Sequence, residues 1–266
     1  MPNFVYDIPQ ADLAFWFAVL AVGGTFLGLL FLKPILRLLV GGGPDLNENI
    51  GFATASSGLF YGLLLGLLTV SAYQNRERVN MAIMQEAAAV GSLYADMDSY
   101  PEPISSDVKG QLRDYVLYTI HRDWPAHRDG FYMDGGISRS DALRRTLASF
   151  EPSTPREEIV HAETIASLKE FSSFRQQRLN GVITKIPAVL WYAVLVGAGI
   201  NILLLLMLRM KPLPHFVLGA INAFFLGVVL FVIVALDDPL RGDSGLPPEP
   251  FERLWDREMK WDEPRG

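Results

Sequence analysis

The chain of 266 residues contains no cysteine, which excludes disulfides, thiolate metal sites and cysteine nucleophiles at once. It has no basic block either. Its 29 Asp and Glu outnumber 23 Lys and Arg, and nucleic acid is not expected as a partner of a chain without a run of cations to track phosphates. Catalytic motifs are absent as well: there is no nucleophile elbow, no zincin helix and no phosphate loop, and Gly41-Gly42-Gly43 precedes no Lys-Ser or Lys-Thr. His121, Asp123, His127 and Asp129 crowd into one stretch, with His161 on a later helix. Trp124-Pro125 is expected to break the helix between the first two histidines, so these residues are read as a surface cluster. No catalytic residue, metal or cofactor is expected, and the chain is not read as an enzyme.

Charge is also missing from long parts of the sequence. Half of the residues are hydrophobic and 20% are charged, with the charges gathered in 75–186 and after 237. Four stretches, 13–32, 51–73, 188–208 and 215–236, reach the roughly 20 apolar residues that cross a bilayer. None carries Asp, Glu, Lys or Arg well inside, which argues against a proton relay or a charged transport site. The first lacks a preceding Lys or Arg, so it reads as a retained span and not a cleaved signal. The expected fold is therefore all-α: an integral membrane protein with four transmembrane helices and a helical soluble insertion between the second and third. Residues 1–74 hold the first two spans, 75–186 the insertion, 187–236 the last two spans and 237–266 a polar Pro-rich tail. Gly41-Gly42-Gly43-Pro44 reads as a hinge after the first span, and Pro212 with Pro214 as the turn before the fourth.

What the sequence does hold is one long uninterrupted stretch, 51–97, whose apolar first half runs into a charged second half without a proline. One helix continuous from the bilayer into the soluble part is the expectation. Gly58, Gly62 and Gly66 recur every fourth residue, the spacing that lets another helix approach closely. Phe60, Leu64, Leu67 or Leu68, and Ser71 follow at helical spacing and end in Gln74 and Asn75. These seven are candidate pore-lining residues, an apolar constriction opening on a polar mouth. Asn201 and Asn222 lie within the third and fourth spans, where an amide normally finds a hydrogen-bond partner on another helix.

In the insertion, Met81, Met84, Ala87, Ala88, Val90, Leu93 and Tyr94 are expected to form one buried face of the long helix. A second helix follows, capped by Ser105 or Ser106, with Val108, Leu112, Tyr115, Val116 and Thr119 inward. A third runs from about Ser140 to Phe150. Thr154-Pro155-Arg156-Glu157 is a capping box opening a helix that should run to Asn180-Gly181. The tail, with Phe251, Leu254, Trp255 and Trp261 among its prolines, is expected to lie along the soluble part or the membrane surface.

The second span with its extension, YGLLLGLLTVSAYQNRERVNMAIMQEAAAVGSLY, then Pro101-Glu102-Pro103, Tyr115, Trp124-Pro125 and LDDPLRG after the last span, resembles the bacterial bestrophin-like domain family over most of the chain. The resemblance implies a multi-pass protein of the bacterial inner membrane, in contact with lipid. Bestrophins are pentameric anion channels whose second helix lines a hydrophobic neck. By that likeness the chain is a homo-oligomeric, anion-conducting channel, with Phe60 and Leu64 nearest to neck positions. An acidic calcium clasp is not recognisable, and Asp237-Asp238 is read as a turn. The second reading is a non-conducting sensor or scaffold whose soluble helices bind a partner or ligand. Lys33, Arg37, Arg209 and Lys211 pull the short loops to the cytoplasmic side, with Arg76, Arg78, Arg178, Lys185 and Arg241 flanking the opposite mouths, whereas the bestrophin likeness puts the insertion there. The side of the membrane stays open.

Overall fold

The computed structural model describes residues 3–40, 45–242 and 245–261, so the expected hinge at 41–44 lies outside the described residues. Every described element is helical. Among the described residues, ten α-helices follow one another: α1 (Gln10–Leu27), α2 (Lys33–Val40), α3 (Leu46–Asp96), α4 (Ile104–Tyr118), α5 (Trp124–Arg128), α6 (Gly135–Ala148), α7 (Pro155–Ile183), α8 (Ala188–Met207), α9 (Pro212–Asp237) and α10 (Glu249–Leu254). A π-turn, Gly28–Leu32, joins α1 to α2 without a break, so the first span and the segment that follows it are one helical run. Among the described residues, four helical runs are long and apolar enough to cross a bilayer: Gln10–Val40, Leu46–Ser99, Ala188–Met207 and Pro212–Asp237. The protein is an all-helical, multi-pass membrane protein. Pro212 and Pro214 begin α9 instead of preceding it, because amides in a first helical turn have no intrahelical acceptor and a proline there forfeits nothing.

Two compact units share the chain, one formed by Met1–Gln74 with Lys185–Asp237 and the other by Asn75–Thr184 with Asp238–Gly266. α3 contributes to both. Its 51 residues, at about 1.5 Å each, make a rod of about 76 Å.

In the membrane unit, α1 lies along α9, and Gly227 is what lets the two backbones meet. A Cβ at that position would stand 2.8 Å from the carbonyl oxygen of Phe17, a clash no rotamer can relieve. Leu13, Leu65, Leu68, Trp191, Val194, Ala198, Leu226, Ile233 and Val234 form the core. The Asp237 carboxylate ends α9 by accepting the Tyr6 hydroxyl at 2.5 Å and the Ile186 amide at 2.6 Å. The aspartate expected to make a local turn thus ties three segments distant in sequence.

The second unit is more densely buried. α3 supplies Val79, Ile83, Ala87, Val90, Leu93 and Tyr94 to its core, while Met81, Met84 and Ala88 face outward. The buried stripe therefore starts one step away from the expected one. α4 buries Val108, Leu112, Tyr115 and Val116 as its spacing requires. Its first turn is capped by Glu102, whose carboxylate accepts the Ser106 amide at 3.3 Å, and not by Ser105, whose hydroxyl donates to the Met97 carbonyl, or by Ser106. α6 starts at Gly135, five residues before the expected Ser140. Thr154 accepts the Glu157 amide at 3.2 Å as expected, but Glu157 reaches back to the amide of Ser153, one residue before the cap. α7 passes through Gly181, where Val79 side-chain atoms would lie 2.5 Å from a Cβ, so this glycine serves close packing and does not end the helix. From the tail, Leu240, Leu246, Phe251, Leu254 and Met259 all enter this core.

Candidate functional site

The membrane half of α3 divides the seven candidate pore residues into two groups. Phe60 is 69% exposed and Leu67 63%, and Ser71 and Gln74 are open as well. At 3.6 residues per turn, all four fall within about 60° of one another around the helix. Leu68, only 6% exposed, belongs to the core, and Leu64 is half-buried against it. Asn75 is half-buried and is the first residue of the other unit. The open stripe is thus Phe60, Leu67, Ser71 and Gln74, apolar at one end and polar at the other.

Gly62 and Gly66 lie roughly 110° or more from the middle of that stripe. Among the described residues, no atom beyond the neighbouring backbone of the same helix stands within 4 Å of a Cβ placed on either, whereas Gly58 has the Asn201 amide oxygen at 3.7 Å. The three glycines therefore do not act alike. Gly58 meets α8 within the chain, and Gly62 and Gly66 present bare backbone outward. Asn201 donates to the Gly197 carbonyl of its own helix at 2.9 Å, not to another helix, and Asn222 is exposed on α9.

The second unit holds a cluster the sequence did not reveal. Arg178, fully buried, clamps fully buried Glu86 with Nε at 2.7 Å and Nη2 at 3.1 Å. Tyr115 donates its hydroxyl to the same carboxylate, and the Arg178 Nη1 lies 2.5 Å from Nε2 of buried His127. The other ring nitrogen of His127 faces the Phe131 carbonyl at 2.9 Å. With Nδ1–H donating there, Nε2 is the acceptor and the imidazole is neutral. Burial, reinforced by the Arg178 charge, pushes its pKa down to about 3. Burial and then the Glu86 charge push the Tyr115 phenol up. Burial is the largest single influence on Arg178 and lowers its pKa, but the charge and hydrogen bond of Glu86 with the lesser pulls of Tyr115 and Asp123 together raise it and hold Arg178 firmly protonated. Asp123 lies 3.8 Å from Arg178 with neither carboxylate oxygen hydrogen-bonded, and burial raises its pKa against the pull of Arg178. Trp124 and Phe251 place their rings against the guanidinium, at 5.3 and 6.0 Å from their centroids.

This arrangement corrects two readings. Arg178 does not flank a mouth but is buried among partners, and Trp124-Pro125 does not break the chain's course. A π-turn, Thr119–Asp123, carries α4 into α5, and Pro125 stands in the first turn of α5. Of the histidine-aspartate cluster, Asp123 and His127 join the ionic network, His121 and Asp129 stay exposed, and the His161 ring pairs with the Tyr100 hydroxyl at 2.9 Å. Among the described residues no group of three potential ligands could hold a metal ion. Glu86 and Arg178 are not legible in the sequence as members of this cluster, since an acid and a base on amphipathic helices look like solvated charges until the fold brings them together.

Residues 15–251 match the Bestrophin-like domain. No curated protein matches in sequence. Among solved structures, a bacterial bestrophin homolog from Klebsiella pneumoniae, phased on zinc, is similar at 13% identity and a TM-score of 0.62, over 94% of this chain and 99% of that one. A form of the Klebsiella homolog that carries a mutation is similar at 14% identity and a TM-score of 0.59, over 91% of this chain and 98% of that one. A match this extensive across the spans, the insertion and the first part of the tail makes the chain a member of the bestrophin-like domain family.

Proposed function

We propose that the protein is an oligomeric membrane channel that conducts anions, with the membrane half of α3 lining the pore. The observation that carries this reading is the open stripe Phe60, Leu67, Ser71 and Gln74 on a helix whose other uncovered side offers Gly62 and Gly66 with open space above them. Bare glycine backbone on a membrane helix favours a second helix, and the second copy has to come from another subunit. Ringed by such contacts, Phe60 and Leu67 form a constriction that gates by dewetting, and Ser71 and Gln74 form its wetted mouth. The lack of acidic residues inside the spans favours anions, as does membership of the bestrophin-like family, since bestrophins are anion channels. Leu64 and Leu68 support the stripe from behind and leave the pore to their neighbours.

The test is ion flux from liposomes with chloride and potassium gradients set separately. The expected outcome is chloride-selective flux that rises in Phe60→Ala Leu67→Ala and does not rise in Leu68→Ala. Absence of flux from all of these, in protein demonstrably folded and oligomeric, would overturn the channel and leave the non-conducting sensor or scaffold.

A further inference from the structure

Lys33 opens α2, 23 residues beyond the start of the first span at Gln10, or about 35 Å along the helix. That length exceeds the hydrocarbon thickness of about 30 Å, so Lys33 stands at headgroup depth. It is only 8% exposed, and its ammonium donates to Nδ1 of His215, itself 1% exposed in the first turn of α9. Nε2 of His215 faces the Leu205 carbonyl at 3.0 Å, near the end of α8. With that nitrogen donating and the other accepting, the imidazole is neutral. Among the described residues, Lys33 thus has one neutral acceptor for three protons.

No carboxylate of the described residues forms an ion pair with Lys33. Asp45 and Glu48, the acids nearest the start of α3, are both exposed. Arg37 sits one turn further along α2, exposed, and its charge acts on both Lys33 and His215. Among the described residues the site therefore carries two positive charges and no carboxylate paired with Lys33. A nearly buried ammonium so placed is costly unless an anion completes it. Around it, Leu38, Leu39, Leu213 and Phe216 are exposed, a surface that suits acyl chains more than water.

We propose that Lys33 and Arg37, with His215 as a positioning residue, bind the phosphate of an anionic phospholipid headgroup. The site lies apart from the α3 stripe and does not depend on the pore reading. A soluble phosphate shares the recognising chemistry, so the test has to separate the two sources.

The purified protein in detergent is titrated with phosphatidylglycerol, phosphatidylcholine and inorganic phosphate, and bound species are counted by native mass spectrometry. The expected result is preferential retention of phosphatidylglycerol, weakened about tenfold in Lys33→Gln, as loss of one charge-assisted hydrogen bond implies. Arg37→Gln, at an exposed position that does not threaten folding, is expected to weaken it in the same direction. Retention of inorganic phosphate that both variants weaken, with no preference among lipids, would overturn the lipid assignment and give the oxyanion site to a soluble anion. Equal phosphatidylglycerol binding by the wild type and both variants, or no anion binding at all, would overturn the site itself.

Discussion

The two units solve the same problem in opposite ways. Around Gly62, Gly66, Phe60 and Leu67 the membrane unit leaves large apolar side chains and bare glycine backbone uncovered, while the second unit buries Leu93, Met97, Leu112, Leu147 and Phe251 completely. In the membrane unit this is no defect, because lipid tails are themselves apolar and exposure there carries no hydrophobic penalty. In water the same exposure would be destabilising, and the second unit accordingly closes its core and even draws Glu86 and Arg178 inside it. The membrane unit is thus shaped by what it expects outside the chain, and the other by partners within it. Its buried charges, however, make the second unit sensitive to single changes in a way the apolar spans are not.

Arg178 is where that contrast breaks most visibly. Arg178→Met leaves Glu86 buried without its cation, and the expected loss is about 3–5 kcal/mol of stability, read as a fall in the unfolding midpoint of the purified protein. Replacing Glu86 and Arg178 together with Met is expected to recover part of that loss, since no uncompensated charge then remains between them. A double variant as unstable as the single one would mean that Arg178 acts chiefly through His127 and Asp123.

In the membrane unit the matching experiment compares two adjacent leucines. Leu68→Ala opens a cavity in the core and is expected to cost about 2–4 kcal/mol in a detergent melt. Leu67→Ala, on the open side of the same helix turn, is expected to leave the melt within about 0.5 kcal/mol. Equal losses would mean that Leu67 is buried against another subunit in the protein as purified, which would move it from the pore stripe to an interface.

How far the sequence reveals this division depends on the range of the interaction that creates it. The four spans, the single long helix and the inward face of α4 follow from local apolar spacing, and they stand as read. Leu67 and Leu68 differ by about 100° on one helix, and composition cannot say which faces the chain's own core. Glu86 and Arg178 are 92 residues apart, and nothing near either one marks it as buried. Arg178 reads as a charge at a membrane mouth because it lies near the end of a helix just before a span. The buried face of α3 is misphased in the sequence for a related reason: Met81 and Met84 are apolar but outward, and the inward Glu86 is charged.

His127 offers a subtler probe of the same cluster. Its folded pKa is lowered to about 3, chiefly by burial, while the unfolded chain titrates near 6.5. Between those values the unfolded state binds the extra proton, so stability is fully present above about pH 6.5 and falls as the pH drops, by about 1.4 kcal/mol per pH unit. Asp123, with its pKa raised, contributes with the opposite sign at the acid end, so the comparison is with His127→Asn, which removes one titration and keeps the other. Denaturant midpoints measured from pH 7 to 5 are expected to fall more steeply in the wild type than in the variant. Parallel slopes would show that the imidazole is already charged in the fold, and with it that Arg178 does not donate to Nε2.

The smallest expected effect lies at the surface of the second unit, where charge and water meet in the ordinary way. Thr154 accepts the Glu157 amide at the start of α7, and Thr154→Ala removes that acceptor from an otherwise orphaned donor. The cost is about 1 kcal/mol, and it should appear as faster hydrogen exchange confined to the first turn of α7, with the Arg178 end of the helix unchanged. Exchange that quickens along the whole helix would mean that the cap and the buried ionic cluster are one cooperative element. The distinction between a replaceable exposed bond and an irreplaceable buried one would then fail within a single helix.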